Sequence, residues 1–368
     1  MDVLTAVFFV VGVAALVVGA EALVRGAARL AARTGLSSVV IGLTVVAFGT
    51  SAPELAVSLG ASFRDEADLA VGNVVGSNIA NVLLVLGIAA AAGGGLVVAQ
   101  RIVRIDVPLM LGVSVLVVVF GWDNEIERWE GAAFVVLLVT YITWTVVSAR
   151  RNDSAAIDDE YEEALSAEKL RESSAFTDVG FVLLGLVLLV VGAQALVEAA
   201  TDIARALDVS ELVIGLTVVA IGTSLPEIAT SVVAAVRGQR DLAVGNAVGS
   251  NLFNILAVLG ITAAVSPNSI PVPDGALTID LPVMVAVAIA CLPFFANGFS
   301  LLRWEGVLFL GYYAAYVVWL VLDSAEHAAR NEFAVAFLGF VLPLSLITAA
   351  VIAVRDRRSK HALTPSQV

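Results

Sequence analysis

Gly42-Leu43-Thr44-Val45-Val46-Ala47-Phe48-Gly49-Thr50-Ser51-Ala52-Pro53-Glu54 decides the fold, because the chain carries this stretch twice. The second copy, Gly215-Leu216-Thr217-Val218-Val219-Ala220-Ile221-Gly222-Thr223-Ser224-Leu225-Pro226-Glu227, begins 173 residues later. Between Ile41–Ile88 and Ile214–Ile261 the chain repeats 32 of 48 residues without a gap. With small slips, Ile105-Asp106-Val107-Pro108 answers Ile279-Asp280-Leu281-Pro282, and Arg128-Trp129-Glu130-Gly131 answers Arg303-Trp304-Glu305-Gly306. Two unrelated apolar stretches would not retain polar identities of this kind.

The composition is that of a membrane protein. Of 368 residues, 60% are hydrophobic and 14% charged, against about 25% charged in an ordinary soluble domain. The apolar runs approach the ~20 residues a helix needs to cross the hydrocarbon core. Hydropathy, with Gly, Pro and charge as punctuation, predicts spans at roughly 3–24, 37–63, 68–93, 105–121, 130–149, 176–198, 210–236, 241–265, 277–296 and 304–322. An eleventh is expected at 333–354. A net charge of −13 and the lone Cys291 exclude a nucleic-acid binder held by basic charge and a disulfide-stapled secreted domain. A soluble enzyme is excluded with them. Met1-Asp2 lacks the positive start of a cleavable signal.

Each copy holds five spans, and an odd number forces the second copy to cross the membrane in the opposite sense. The expected fold class is an all-α polytopic membrane protein of two inverted five-helix repeats, a ten-helix core plus an eleventh C-terminal helix. The first repeat covers 1–149, an acidic linker 150–175, the second repeat 176–322, a loop and extra helix 323–354, and a basic tail 355–368. Sixteen Lys and Arg fall on one side of this map and four on the other. The positive-inside rule then puts the N-terminus outside and the central loop and tail in the cytoplasm of a cell whose plasma membrane the chain crosses. Trp129, Trp144, Trp304 and Trp319 fall near predicted helix ends and read as interface anchors. Residues 150–178 hold nine acids against four bases but lack the spacing of a calcium-binding loop, so they read as a solvated linker.

The repeated stretch is also where chemistry is expected. Glu54 and Glu227 each fall about halfway along an apolar span with no Lys or Arg at their depth, where a charge costs a few kcal/mol or more. Pro53 and Pro226 disrupt the helix just before them, so carbonyls around Ala47 to Gly49 and Ala220 to Gly222 are expected to be released. Thr50 and Ser51 lie four and three residues before Glu54 and share its face. The next span of each repeat carries Gly72-Asn73-Val74-Val75-Gly76-Ser77-Asn78-Ile79-Ala80-Asn81 or its counterpart Gly245-Asn246-Ala247-Val248-Gly249-Ser250-Asn251-Leu252-Phe253-Asn254. Ser77 with Asn81, and Ser250 with Asn254, are co-facial, whereas Asn73, Asn78, Asn246 and Asn251 read as bonds between helices. An oxygen-only donor set suits hard cations, calcium above all, with sodium able to compete for the same oxygens. His327 and His361 lie outside the predicted spans, which disfavours imidazole-bound transition metals.

At this point the sequence resembles the cation/calcium exchanger superfamily, in its sodium/calcium exchanger branch of prokaryotic type. The Gly-Thr-Ser-x-Pro-Glu segments at 49–54 and 222–227, each followed by Gly-Ser-Asn-x-x-Asn, are similar to that family's two α-repeats. The resemblance implies Glu54 and Glu227 as principal cation ligands, assisted by Thr50, Ser51, Ser77, Asn81, Thr223, Ser224, Ser250 and Asn254 and by the carbonyls of Ala47 and Ala220. It implies a secondary antiporter moving Na⁺ against Ca²⁺ by alternating access, with helices 1 and 6 as the moving gate and three Na⁺ per Ca²⁺. The ions are cargo, and no cofactor is implied. Asn254 departs from relatives that carry Asp there, which weakens a potassium-coupled reading. A proton/calcium antiporter is the nearest alternative, and a cation channel gains no support from an inverted repeat. A hydrolase built on Ser51 or Ser224 would lack a nearby base.

Overall fold

The computed structural model describes residues 3–64, 66–152, 174–207, 220–296 and 298–324, with position 335. The expected eleventh helix, most of the linker and the basic tail lie outside the described residues. Long apolar helices dominate. In chain order they are α1 (Val3–Thr34), α2 (Ser38–Thr50), α3 (Ala52–Ser62), α4 (Leu69–Ala92), α5 (Ile102–Asp123) and α6 (Arg128–Ala149). The second repeat follows with α7 (Ala175–Ala206), α8 (Leu225–Val236), α9 (Arg240–Val265), α10 (Ala276–Ala296) and α11 (Arg303–Asp323). Among the described residues eight helices are long and apolar enough to cross a membrane, and the bent pair α2–α3 makes a ninth span. The span expected at 210–236 is described from the single turn Ala220–Thr223 onward.

Two helices are longer than hydropathy predicts. α1 continues ten residues past the expected end at 24, and α7 runs to Ala206 rather than 198. The overhang of α1 carries Arg25, Arg29 and Arg33, which hydropathy reads as a loop. They continue the helix because they have partners: Asp178 on α7 is fully buried and receives Arg33 Nε at 2.6 Å and Arg29 Nη1 at 3.7 Å. At the far end Thr5 reaches Asp202 at 3.5 Å, so α1 and α7 run antiparallel and are tied at both ends. Between the ties, glycines let the backbones meet. A Cβ on Gly185 would sit 2.6 Å from Leu23 N and 2.7 Å from Gly19 O.

The repeats interlock through their loops. Antiparallel β1 (Leu96–Val97) pairs with β4 (Ser300–Leu301), and β2 (Glu125–Ile126) pairs with β3 (Ile270–Pro271), so each repeat's loops bind the other's. The repeated Arg-Trp-Glu-Gly motif closes the same seam. Arg128 donates to the carbonyls of Ser266 and Pro267 beyond the end of α9, and Arg303 donates to Ala91 O at the end of α4. Their guanidinium groups thus satisfy carbonyls that a helix end leaves open. Glu130 and Glu305 each accept the backbone N–H three residues earlier, at 2.8 and 2.7 Å, and cap their own helices. Gly131 and Gly306 then allow α6 onto α9 and α11 onto α4.

At the centre, α4 and α9 are the most enclosed helices. Both contain a wide π-helical turn at the same place in the repeat, Asn81–Val85 and Asn254–Leu259. α5 and α10 also match, at Ile102–Asp106 and Ala276–Asp280. A π turn inserts one extra residue and re-aims the side chains around it, a device common at functional sites. The α1–α7 contact yields a stability test. Gly185→Leu should cost about 1–3 kcal/mol by overpacking. Gly180→Leu meets nothing within 4 Å and should be silent. Thermal unfolding in detergent checks the pair, and equal melting temperatures would contradict the contact.

Candidate functional site

The polar centre is built by breaking two helices and inserting the two most buried ones between them. α2 and α3 meet at a 41° bend whose corner is Ser51, at φ −83° and ψ 3°. The corner before α8 is Ser224, at φ −86° and ψ 3°. The repeat thus reproduces its corner almost to the degree. Pro53 and Pro226 lie in the first turn of the helix that follows each corner, where a missing N–H costs nothing. The break therefore precedes the proline. One consequence differs from expectation. The Ala47 carbonyl is engaged by Ser51 N–H at 3.0 Å and by Thr50 Oγ1 at 3.4 Å. Ser224 N–H instead reaches Ile221 O at 3.1 Å, so the two corners differ in this bond.

Glu54 and Glu227 open α3 and α8 and are both fully buried. Among the described residues none of their four carboxylate oxygens has a hydrogen-bond partner. Ser51 Oγ, Ser224 Oγ, Asn254 Oδ1 and both polar atoms of Asn81 are likewise buried and unpartnered. Thr50 Oγ1 bridges to the other repeat, 3.3 Å from Ser250 Oγ and 3.2 Å from Asn246 Oδ1. The Glu227 carboxylate lies beside the Thr50, Ser51 and Ser250 hydroxyls, and the two glutamates are close enough to feel each other's charge. Ser77 is buried. Thr223 is half-buried and lines a cavity of about 290 Å³ together with Pro53 and Pro226. Ala220 opens the turn before the second corner.

The remaining asparagines brace this arrangement. Asn73 donates to Glu54 O and to Ser58 Oγ, at 3.2 and 3.0 Å. Its counterpart Asn246 donates to Ser231 Oγ at 2.9 Å. Asn78 donates to Asn251 O at 3.3 Å and accepts from Asn254 Nδ2 at 3.1 Å, joining α4 to α9. Asn254 consequently keeps its carbonyl oxygen as the free end. An anion buried without partner or donor is costly. Two of them among unsatisfied hydroxyl and amide oxygens form a ready shell for a hard cation. Among the described residues no group of three His, Cys, Asp or Glu converges, so the donors beyond the two carboxylates are neutral.

Sequence reasoning missed three groups, two fully buried and one half-buried. Asp106 is fully buried, accepts from Tyr141 OH at 3.0 Å and has Arg101 Nε at 3.5 Å. Asp280 accepts from Tyr316 OH at 3.0 Å without the arginine's counterpart, because Gly275 stands there. The repeated Ile-Asp-hydrophobic-Pro motif was the available signal, and both aspartates close π turns. The third is Thr230, fully buried with an unpartnered hydroxyl, three residues past Glu227. No repeat signal marks it, since Val57 occupies the matching place.

Known proteins resemble the chain over most of its length. The family profile described as sodium/calcium exchanger protein matches residues 4–147 and 177–322. The inner membrane protein YrbG of Escherichia coli K12 is 38% identical over 295 residues, covering 77% of this chain and 86% of its own. The sodium/calcium exchanger MaX1 of Methanosarcina acetivorans is 34% identical over 314 residues, covering 77% and 89%. Among solved structures, the sodium-calcium exchanger NCX_Mj superimposes with a TM-score of 0.72 at 30% identity, covering 86% of this chain and 99% of its own. The buried carboxylates generate a binding test. Calcium should raise the melting temperature of the purified protein, by an amount equivalent to about 2.7 kcal/mol at a hundred times Kd. Glu54→Gln and Glu227→Gln should each lose that shift, and a shift retained in both would remove the site from these residues.

Proposed function

The chain belongs to the sodium/calcium exchanger family, and from that premise we propose that it is a secondary antiporter exchanging Na⁺ for Ca²⁺ at Glu54 and Glu227. The observation that carries this reading is the pair of fully buried glutamates whose four oxygens have no hydrogen-bond partner among the described residues. A cation bound there turns their burial from a cost into an affinity. Around them Thr50, Ser51, Ser77, Asn81, Thr223, Ser224, Ser250 and Asn254, with the Ala47 and Ala220 carbonyls, complete the proposed shell of oxygens.

Charge then dictates the coupling. Two carboxylates neutralise one Ca²⁺, so the calcium-loaded site crosses the membrane with little net charge. Three Na⁺ in the same place leave about +1, and moving that charge is worth about 2.3 kcal/mol per 100 mV. The sodium step is therefore the electrogenic one. Exchange is obligatory because both ions need the same oxygens, and because an empty site with two bare carboxylates resists closure in a dry interior. Asn81 and Asn254 add no third negative charge, which favours a cycle independent of K⁺. The positive-inside count places the N-terminus outside and the 150–175 linker in the cytoplasm of a plasma-membrane protein.

Proteoliposome flux tests the proposal. An imposed Na⁺ gradient should drive uptake of ⁴⁵Ca²⁺, an inside-positive or inside-negative potential should alter the rate, and K⁺ should make no difference. Glu54→Gln or Glu227→Gln should abolish the flux. Uptake driven by a pH gradient and indifferent to Na⁺ would replace sodium with protons as the counter-ion.

A further inference from the structure

The two repeats match at most positions of their central segments, yet they are packed differently against their partners, and one pair of interfaces shows the difference at the level of whole helices. α1 packs along α8. The matching interface, α7 against α3, stands apart, and the 290 Å³ cavity fills the gap with Val190, Ala193 and Gln194 on one wall and Pro53 and Val57 on the other. Burial records the same asymmetry. Thr230 on α8 is fully buried, while its counterpart Val57 on α3 is 46% exposed.

The closed interface ends in an ion pair that the open one lacks. Glu21 on α1 accepts from Arg237, the residue capping α8, through both oxygens: Oε2 from Nε at 3.0 Å and Oε1 from Nη2 at 2.9 Å. Arg25, one turn further along α1, donates to the same carboxylate at 2.7 Å. At the open interface the position of Glu21 is held by neutral Gln194. The arginine matching Arg237 is Arg64, which folds back onto its own helix, Nε to Gly60 O at 3.0 Å. Glu198, which matches Arg25, lines the cavity. A two-point arginine–carboxylate contact is the geometry in which a half-exposed ion pair contributes measurably.

We propose that Glu21 and Arg237 are positioning residues that latch α1 onto α8, close the route to the ion site on the side of the Arg237 loop, and hold the carrier open on the opposite side. The reading rests on the exchange function and orientation proposed above, in which the latched side is cytoplasmic. Alternating access then requires this pair to separate while α7 closes on α3. Removing it frees the side now shut without altering any oxygen near Glu54 or Glu227. A state made more accessible binds its ligand with higher apparent affinity, because less of the population has to be converted first.

The experiment measures half-maximal Ca²⁺ for Na⁺-dependent ⁴⁵Ca²⁺ exchange separately at each face, in right-side-out and inside-out membrane vesicles. Glu21→Gln and Arg237→Gln should each raise apparent Ca²⁺ affinity at the cytoplasmic face by about two- to fivefold, as expected for a loss of a contact of this class. Affinity at the outer face should hold steady or fall. The double variant should match either single one, since all three lose the same contact between α1 and α8, the Arg25–Glu21 pair lying within α1 alone. Arg237→Lys, which keeps the charge but not the two-point contact, should lie between wild type and Arg237→Gln. If Glu21→Gln does not fold, the exposed Arg237→Gln and Arg237→Lys carry the test alone. Equal affinities at both faces in these variants and wild type, or additive effects in the double variant, would overturn the latch. An affinity gain confined to the outer face would overturn its assignment to the cytoplasmic side. Absence of Na⁺-dependent exchange in wild-type vesicles would instead overturn the exchange reading.

Discussion

Two carboxylates are buried within one another's field in a protein interior where, among the described residues, no cationic side chain pairs with them. Everything else in the molecule follows from tolerating that arrangement. A buried anion without compensation costs several kcal/mol, so the chain surrounds Glu54 and Glu227 with the two most enclosed helices and braces those helices through asparagines. The backbone must also change direction beside each glutamate without exposing polar groups to lipid. It does so at Ser51 and Ser224, with proline placed where a helix start has no use for its N–H.

The same economy explains why three other aspartates in the spans have partners. Asp106 and Asp280 are held by tyrosines, and Asp178 by two arginines. The helix ends of α4 and α9 are closed by arginines from the other repeat. Against that background of paired groups, an unpartnered set concentrated at Glu54, Glu227, Ser51, Ser224, Asn81 and Asn254 is informative. Asp106, Asp178 and Asp280 each have a named donor, whereas the Glu54 and Glu227 carboxylates have no hydrogen-bond partner among the described residues.

Much of this was legible in the residues. A 173-residue offset, gap-free from Ile41 to Ile88, named the repeat and picked out the two glutamates that the structure buries. What escaped the reading did so for physical reasons. Hydropathy treats Arg25, Arg29 and Arg33 as the end of a helix, because it cannot see the buried Asp178 that keeps them helical 145 residues away. A 3.6-residue period hides π turns, which add a residue without changing composition. Proline locates a break only to within a turn, so the Ala47 carbonyl expected to be released turned out to hold Ser51. Thr230 differs from Val57 by one hydroxyl, and nothing in a single sequence shows which of two matched positions will be sealed.

The loop seam bears on what counts as a unit of this protein. In the linear chain the repeats are separated by an acidic linker, and each looks self-contained. In space β1 needs β4, β2 needs β3, and the ends of α4 and α9 are finished by side chains from the opposite copy. A single half would therefore leave open strand edges, uncapped carbonyls and half of the buried oxygen cluster. The two halves of the chain are therefore not two finished domains joined by a linker: each is completed by the other, and the unit of this structure is the pair.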